Sequence, residues 1–433
     1  MLVAVLLFGL LYVPSGASGF KGSSDSLKLV QIFHRHGERS PTTYKTFPTE
    51  DPRIGDKFPF EAAELTLTGI RQEYILGLNI RAQYEAFLGP SYHSQQLSYL
   101  AGKDNRTIAS ALAVLVGLFP PNKDQEWLPG FAWQPIPVHT IDLLDVVSFG
   151  AFDLCQVLGP KTEKTAVYNH MLDAVGKPIL DWLTNVTGVD ASNPRLFDKI
   201  VDSIKTRYGL KAYLPLPTWA TPKVVEKAIE WNNRIHQILT DHLAPIVGSW
   251  HFDQLVGNME SAVRNFSQHK LVMYSGHDTN TLAIARFLNL STIAATELQT
   301  FAHYLAIELH SGPNPNEHFV EFWLHPKLNG SRVFVDIPEC PVPCLYSQFR
   351  LLRPRVSTAE FMVECHGVPA TLDDRCTLYA SLAGSLVIII VILIAAVLSI
   401  LWWCCHYRNK YNTLSVDLGD EEEPLLGRRS YNN

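Results

Sequence analysis

The chain has 433 residues, 47% hydrophobic and 18% charged, the balance of a globular protein with a core. Its length exceeds the usual single-domain range, so one large domain with an insertion or a pair of domains is expected. The net charge of −6, with no basic block outside the short tail, argues against nucleic acid as a partner.

Met1 to Tyr12 is almost wholly apolar, and small residues from Pro14 to Gly19 lead into a polar stretch. Residues 1–19 therefore read as a secretory signal peptide. Leu27 to Phe33 (LKLVQIF) is apolar-rich with partial alternation, a buried strand that ends where His34-Arg-His-Gly-Glu-Arg-Ser-Pro41 begins. From Thr68 to Phe87 the pattern turns helical, with Ile70, Tyr74 and Leu78 four apart and Thr68 as N-cap. Gln96 to Leu100 reads as a second strand and Thr107 to Leu118 as a helix, stopped by Pro120-Pro121. Residues 123–255 lose the strand–helix rhythm and carry helical patches such as Pro222 to Leu243, a mainly helical cap insertion. Lys270 to Tyr274 is strand-like again and runs into Ser275-Gly-His-Asp278, followed by a helix from Thr279 to Leu288 and strands at Tyr304–Leu309 and His318–Leu324. Strands alternating with helices predict an α/β core, residues 27–122 and 256–368, with a mostly parallel central sheet flanked by helices.

Beyond a stalk at 369–381, residues 382–403 carry no charge and are long enough to form a single transmembrane helix. His406, Arg408 and Lys410 follow, and Asp373 and Asp374 precede. The positive-inside rule then makes residues 404–433 a cytoplasmic tail and the chain a type I membrane protein. Five cysteines before the span (Cys155, Cys340, Cys344, Cys365, Cys376) suit an oxidising lumen. Cys340-Pro-Val-Pro-Cys344 lacks a second pair for zinc, so a local disulfide is expected. Cys404 and Cys405 fit palmitoylation or plain membrane-edge cysteines equally. Sequons at Asn105, Asn185, Asn265, Asn289 and Asn329 suit a glycosylated ectodomain. In the tail, Tyr411 to Leu414 fits a tyrosine sorting signal, and Glu421 to Leu425-Leu426 an acidic dileucine signal. Lysosomal or endosomal routing is the resulting expectation, with the extracellular face as the alternative.

Two predicted strands end in histidine, at His34-Arg35-His36 and at His277-Asp278. Ligands of open α/β sheets bind at the carboxyl ends of strands. Arg35 and Arg39 place fixed positive charge beside the histidines, which repels a divalent metal and suits a phosphate dianion. Arginine forks match phosphate oxygens, and histidine is a covalent nucleophile. Arg-His-Gly-x-Arg thus reads as a nucleophile between two phosphate clamps, with Gly37 letting backbone approach the ligand. His34 points to the other face of the strand from its neighbours and is read as supporting.

The sequence resembles the histidine acid phosphatase family, high-molecular-weight branch (the lysosomal, prostatic and testicular acid phosphatase type). The matches are Arg35-His-Gly-Glu-Arg-Ser-Pro41, Leu67-Thr-Gly69, Asp104-x-Arg106-Thr, Gly117-Leu-Phe-Pro-Pro-Asn122, Trp133-Gln-Pro-Ile-Pro-Val-His-Thr140 and Ser275-Gly-His-Asp278, in order within residues 28–368. The resemblance implies His36 as nucleophile, Arg35, Arg39, Arg106 and His277 as holders of the phosphoryl oxygens, and Asp278 as proton donor. It also implies phosphate-monoester substrates, a phosphohistidine intermediate, no metal or cofactor, and a homodimer. Of the family's bridges it implies Cys155–Cys365 beside Cys340–Cys344. The partners of a third are missing, which leaves Cys376 over. A glycan on Asn105 would crowd the neighbouring Arg106, so that sequon is expected to stay unmodified. The arginines should depress the His36 pKa below its free value of about 6.5, giving an acidic optimum.

Downstream of Val138-His-Thr140 the sequence diverges from the family, so pocket selectivity does not carry over. Two alternatives stand beside the acid phosphatase. One is a phytase or inositol-polyphosphate phosphatase of the same superfamily, which several pocket lysines would favour. The other is a catalytically silent, receptor-like ectodomain, against which the intact catalytic set speaks.

Overall fold

The structure, a computed structural model, describes residues 24–57, 60–146, 148–151, 155, 161–210, 214–291, 293, 300–366, 389–408 and 410. The chain divides into a unit ending at His366 and a second beginning at Gly367. In the first, strands β1 (Leu27–Arg35), β2 (Leu97–Ala101), β3 (His139–Thr140), β4 (Leu271–Gly276), β5 (Tyr304–Ser311), β6 (His318–His325), β7 (Val333–Val335) and β8 (Cys344–Leu345) form one sheet. Its helices include α1 (Leu67–Leu88), α2 (Asn105–Leu118), α3 (Lys161–Val175), α4 (Lys177–Thr187), α5 (Pro194–Gly209), α6 (Pro222–Val263) and α7 (Asp278–Phe287).

The strand order is β3-β2-β4-β1-β5-β6-β7, with β8 on β6. Pairing is parallel from β3 to β1 and antiparallel from β1 through β5 and β6 to β7 and β8. The sheet is therefore mixed, which corrects the expectation of a mostly parallel one. The physical reason lies between β5 and β6, where Gly312 N donates to the Glu317 carbonyl at 2.7 Å. That tight connection leaves no room for the crossover of a dozen or more residues that parallel strands need.

Both faces of β1 are covered, as its unbroken burial from Leu29 to Arg35 requires. Val30 and Ile32 face a core shared with Leu76 and Ile80 of α1 and Val114 of α2. Leu29 and Phe33, one step out of phase, face a second core shared with Trp250, Leu255 and Met259 of α6 and Phe197 of α5. Gln31 is buried on that side, and its amide donates to the Leu255 carbonyl at 2.9 Å while accepting from Asn258 at 2.8 Å.

Two local expectations change, the cap of α1 and the length of α6. Thr66, not Thr68, caps α1, its hydroxyl accepting from Gly69 N at 3.0 Å. Ile70, Tyr74 and Leu78 mark the helix but face outward, at 45%, 40% and 41% exposure, while Leu76, Ile80 and Tyr84 carry its buried side. Helix α6 does not stop at Leu243 but continues through Pro245 and past position 255. A proline inside a helix costs about 3 kcal/mol. Burial of Leu243, Val247, Trp250, Leu255 and Met259 along the same helix, at about 1.5–3 kcal/mol each, outweighs it.

Cys155 is bonded to Cys365, 210 residues away, and Cys340 to Cys344. The long bridge ties the helical segment to the end of this unit. Replacing Cys155 and Cys365 together by serine should cost about 2–5 kcal/mol, read as a lower thermal midpoint of the full chain. An unchanged midpoint would deny the bridge a stabilising role.

In the second unit an apolar helix covers Ile389–Arg408, 20 residues with mean hydropathy 2.5, long enough to cross a membrane. It runs past Trp403, the end expected for the span. Residues 382–388, the signal peptide, the 369–381 stalk with Cys376, and the tail positions Tyr411, Leu414, Glu421, Leu425 and Leu426 lie outside the described residues.

Candidate active site

The carboxyl ends of β1, β2 and β4 converge. Arg35 is the last residue of β1, and His36 N donates to the Gly276 carbonyl at the end of β4 at 3.0 Å. His36 and His277 stand ring edge to ring face with centroids 5.5 Å apart. Arg106 enters from the first turn of α2, which follows β2. A single cavity of about 340 Å³ is lined by Arg35, His36, Arg39, Arg106, His277 and Asp278.

His36 is 3% exposed, and its Nδ1 lies 2.8 Å from the Gly37 carbonyl. A carbonyl only accepts, so Nδ1 carries the proton and Nε2 keeps its lone pair. Burial, then the charges of Arg106, Arg35, His277 and Arg39, hold the imidazole well below its usual pKa of 6.5. The sequence-based expectation credited the arginines; burial acts more strongly. In either case more of the ring is neutral at a given acid pH than in a free histidine.

Each clamp arginine is positioned by a carboxylate. Arg39 forks onto Asp202 of α5 at 2.8 and 3.3 Å, and Thr42 donates to the same carboxylate from its backbone N and its hydroxyl, each at 2.8 Å. Burial alone would raise Asp202, but the Arg39 charge and these bonds draw it down to about 2. Arg106 pairs with Asp104. Arg35 meets Asp278 at 3.1 Å and lies over the Phe301 ring at 4.3 Å. The buried Nε–H groups of Arg39 and Arg106 have no hydrogen-bond partner among the described residues, donors that an anion in the cavity would satisfy.

Asp278 opens α7, and its Oδ1 accepts from Thr279 N at 2.9 Å. Burial raises its pKa, yet Arg35, His236, Lys205 and His303 together pull it below the ordinary value. His277 Nε2 lies 2.9 Å from Asp145 and 3.7 Å from Asp104. His34 belongs to a buried network, with Nε2 2.8 Å from the Tyr99 hydroxyl and Nδ1 3.2 Å from Glu73. Gly37 also has a structural reason: a Cβ there would overlap the Gly69 carbonyl, so the glycine admits the start of α1.

Residues 26–146 match the family model of the histidine phosphatase superfamily, branch 2. Rat lysosomal acid phosphatase is 29% identical over 375 residues, covering 84% of this chain and 85% of the relative. Mouse prostatic acid phosphatase is 29% identical over 355 residues, covering 79% and 90%. By sequence the chain is similar to these phosphatases over most of its length. The solved phytase of Citrobacter braakii shares its fold, with TM-score 0.52 at 17% identity over 78% of this chain and 99% of that one.

Around the histidine phosphatase motifs stand residues that sequence reasoning did not name. Asp198, Asp202 and Lys205 of α5 and Asn232 and His236 of α6 line the far side of the cavity. Asp198 accepts from Asn232 at 2.8 Å and from His236 Nε2–H at 2.7 Å. Burial lowers the His236 pKa, but the Asp198 charge and hydrogen bond raise it overall. The available signal was the spacing of 198, 202 and 205, which places them on one face of a helix whose Phe197, Ile200, Val201 and Ile204 are buried.

Among the described residues, two groups have metal-ligand geometry, Asp104 with Asp145 and His277, and Glu308 with His310 and Glu321. In the first, Arg106 already pairs with Asp104; in the second, Arg332 meets Glu308 at 2.6 Å. Each group thus has a protein cation on one of its carboxylates. Asn185, Asn265, Asn289 and Asn329 are all exposed. Asn105 is exposed as well, the first residue of α2 beside Arg106, and its amide donates to Glu64 at 2.8 Å.

Proposed function

We propose that the chain is an acid phosphatase that hydrolyses phosphate monoesters through a phosphohistidine on His36, without a metal. The observation that carries this is a buried imidazole with a lowered pKa beside three arginines, its Nε2 without a hydrogen-bond partner among the described residues. The relatives' names, lysosomal and prostatic acid phosphatase, point the same way.

In this reading Arg35, Arg39, Arg106 and His277 hold the non-bridging oxygens, and Nε2 of His36 attacks phosphorus opposite the leaving oxygen. The P–O ester bond breaks as the N–P bond forms, and Asp278 gives its proton to the departing alkoxide. Water then attacks phosphorus, Asp278 takes its proton, the N–P bond breaks with its electron pair returning to Nε2 of His36, and inorganic phosphate leaves. In the free site Arg35 favours the ionised Asp278. A bound phosphate offsets the Arg35 charge and lets the carboxyl take up a proton, more readily in acid. Among the described residues lining the cavity there is one lysine, Lys205, where an inositol polyphosphate would call for several, so the phytase reading is second.

The helical segment of residues 123–255 serves as the cap over the site. The apolar Ile389–Arg408 helix supports a single-pass type I anchor, with the site in a lysosomal or endosomal lumen or on the extracellular face. The outward row of Ile70, Tyr74 and Leu78 suits a homodimer.

The test uses the full chain in detergent with a metal chelator and phenyl phosphate. Phosphate release should be faster in acid than in mild alkali, whatever the chelator concentration. No release at any pH, as the silent ectodomain requires, or activity that returns only with added metal, contradicts the proposal.

A further inference from the structure

We propose that Lys205 determines specificity, taking a second anionic group on the leaving portion of the substrate. On the phosphatase reading, from which this follows, the preferred substrates are monoesters with a carboxylate or a further phosphate near the ester.

The charges of the cavity wall pair off. Asp104 is joined to Arg106, Asp145 to His277, Asp198 to His236 and Asn232, Asp202 to Arg39 and Thr42, and Asp278 to Arg35. Among the described residues lining the cavity, Lys205 is the cation that remains. Its ammonium makes no hydrogen bond or ion pair with any described residue, and the charges it feels are Arg35, Asp278, Asp202 and Arg39. Burial and the two arginines lower its pKa from 10.5, as expected for a cation in want of a counter-charge.

Position assigns the role. The arginines of the phosphoryl cradle come from the sheet side, whereas Lys205 stands on α5, in line with Asp198 and Asp202. Asp278, the group that meets the leaving oxygen, lies between these walls and interacts with Arg35 on one and Lys205 on the other. An anion attached to the leaving group would therefore meet Lys205. Asp198 and Asp202 face the same space, but their charges are already met by His236 and by Arg39. A single unpaired lysine suits one added acid group, not the many of an inositol hexakisphosphate.

Phenyl phosphate and 3-carboxyphenyl phosphate, compared on the full chain in detergent, form the test. Wild type should turn over the carboxylated ester with the higher kcat/KM. In Lys205→Gln the ratio of the two kcat/KM values should fall on the order of tenfold, mainly through KM, the return of one charge-assisted contact. Lys205→Arg should restore it. A ratio unchanged in Lys205→Gln overturns the inference. If both esters lose equally, Lys205 belongs to the phosphoryl cradle, and the inference again falls. Should wild type release no phosphate from either ester, the phosphatase reading itself has failed, a result distinct from the other two.

Discussion

His36→Ala should lower kcat/KM for phenyl phosphate by on the order of a thousandfold or more, since the covalent step loses its nucleophile. No neighbour can substitute. His277 holds its Nε2 against Asp145, and His34 is turned into the Tyr99 and Glu73 network. Substrate binding should survive better than turnover, because Arg35, Arg39 and Arg106 remain. KM should change far less than kcat, and inorganic phosphate should still inhibit. If His36→Ala kept most of its activity, another group would be attacking phosphorus.

Arg106→Met should have the second-largest effect, with two separable parts. Loss of one arginine from the developing charge should lower kcat by on the order of a hundredfold. The pH profile should move as well. After burial, the Arg106 charge is the largest influence lowering the His36 pKa. Without it that pKa rises, so at a given acid pH less of the imidazole is neutral and able to attack. The acid limb of kcat/KM, which reports the free enzyme, should shift to higher pH. Burial persists in the variant, so the pKa should stay below 6.5 and the shift should be partial. An acid limb that stays put would mean that Arg106 does not act on His36 through charge.

Much of the site was legible because chemistry sits where a simple pattern stops. The apolar runs of β1 and β4 end directly at Arg35-His36 and at His277-Asp278, and parallel pairing of the two strands brings those ends together. Arg106 carried no such mark, being one arginine at the head of an ordinary alanine-rich helix, and only the family resemblance picked it out. The mixed sheet was half visible. No helical stretch separates Tyr304–Leu309 from His318–Leu324, and the short connection dictates a hairpin. Pro245 hid the true length of α6, because local rules end a helix there while the buried residues on either side continue it. Least legible was the α5 wall of the cavity. Helical periodicity says that Asp198, Asp202 and Lys205 avoid the core; it cannot say whether they meet water or a substrate. That depends on α5 packing across the cavity from the carboxyl end of β1, a tertiary fact.

The covalent intermediate is tested most directly by trapping it. The full chain, with chelator present, is mixed with phenyl phosphate, quenched with alkali in which phosphohistidine survives, and read by intact mass and peptide mapping. The expected result is one added phosphoryl group on the peptide containing His36, absent from His36→Ala. Steady turnover with no phosphoryl-enzyme, or a phosphoryl group on a different residue, would contradict it.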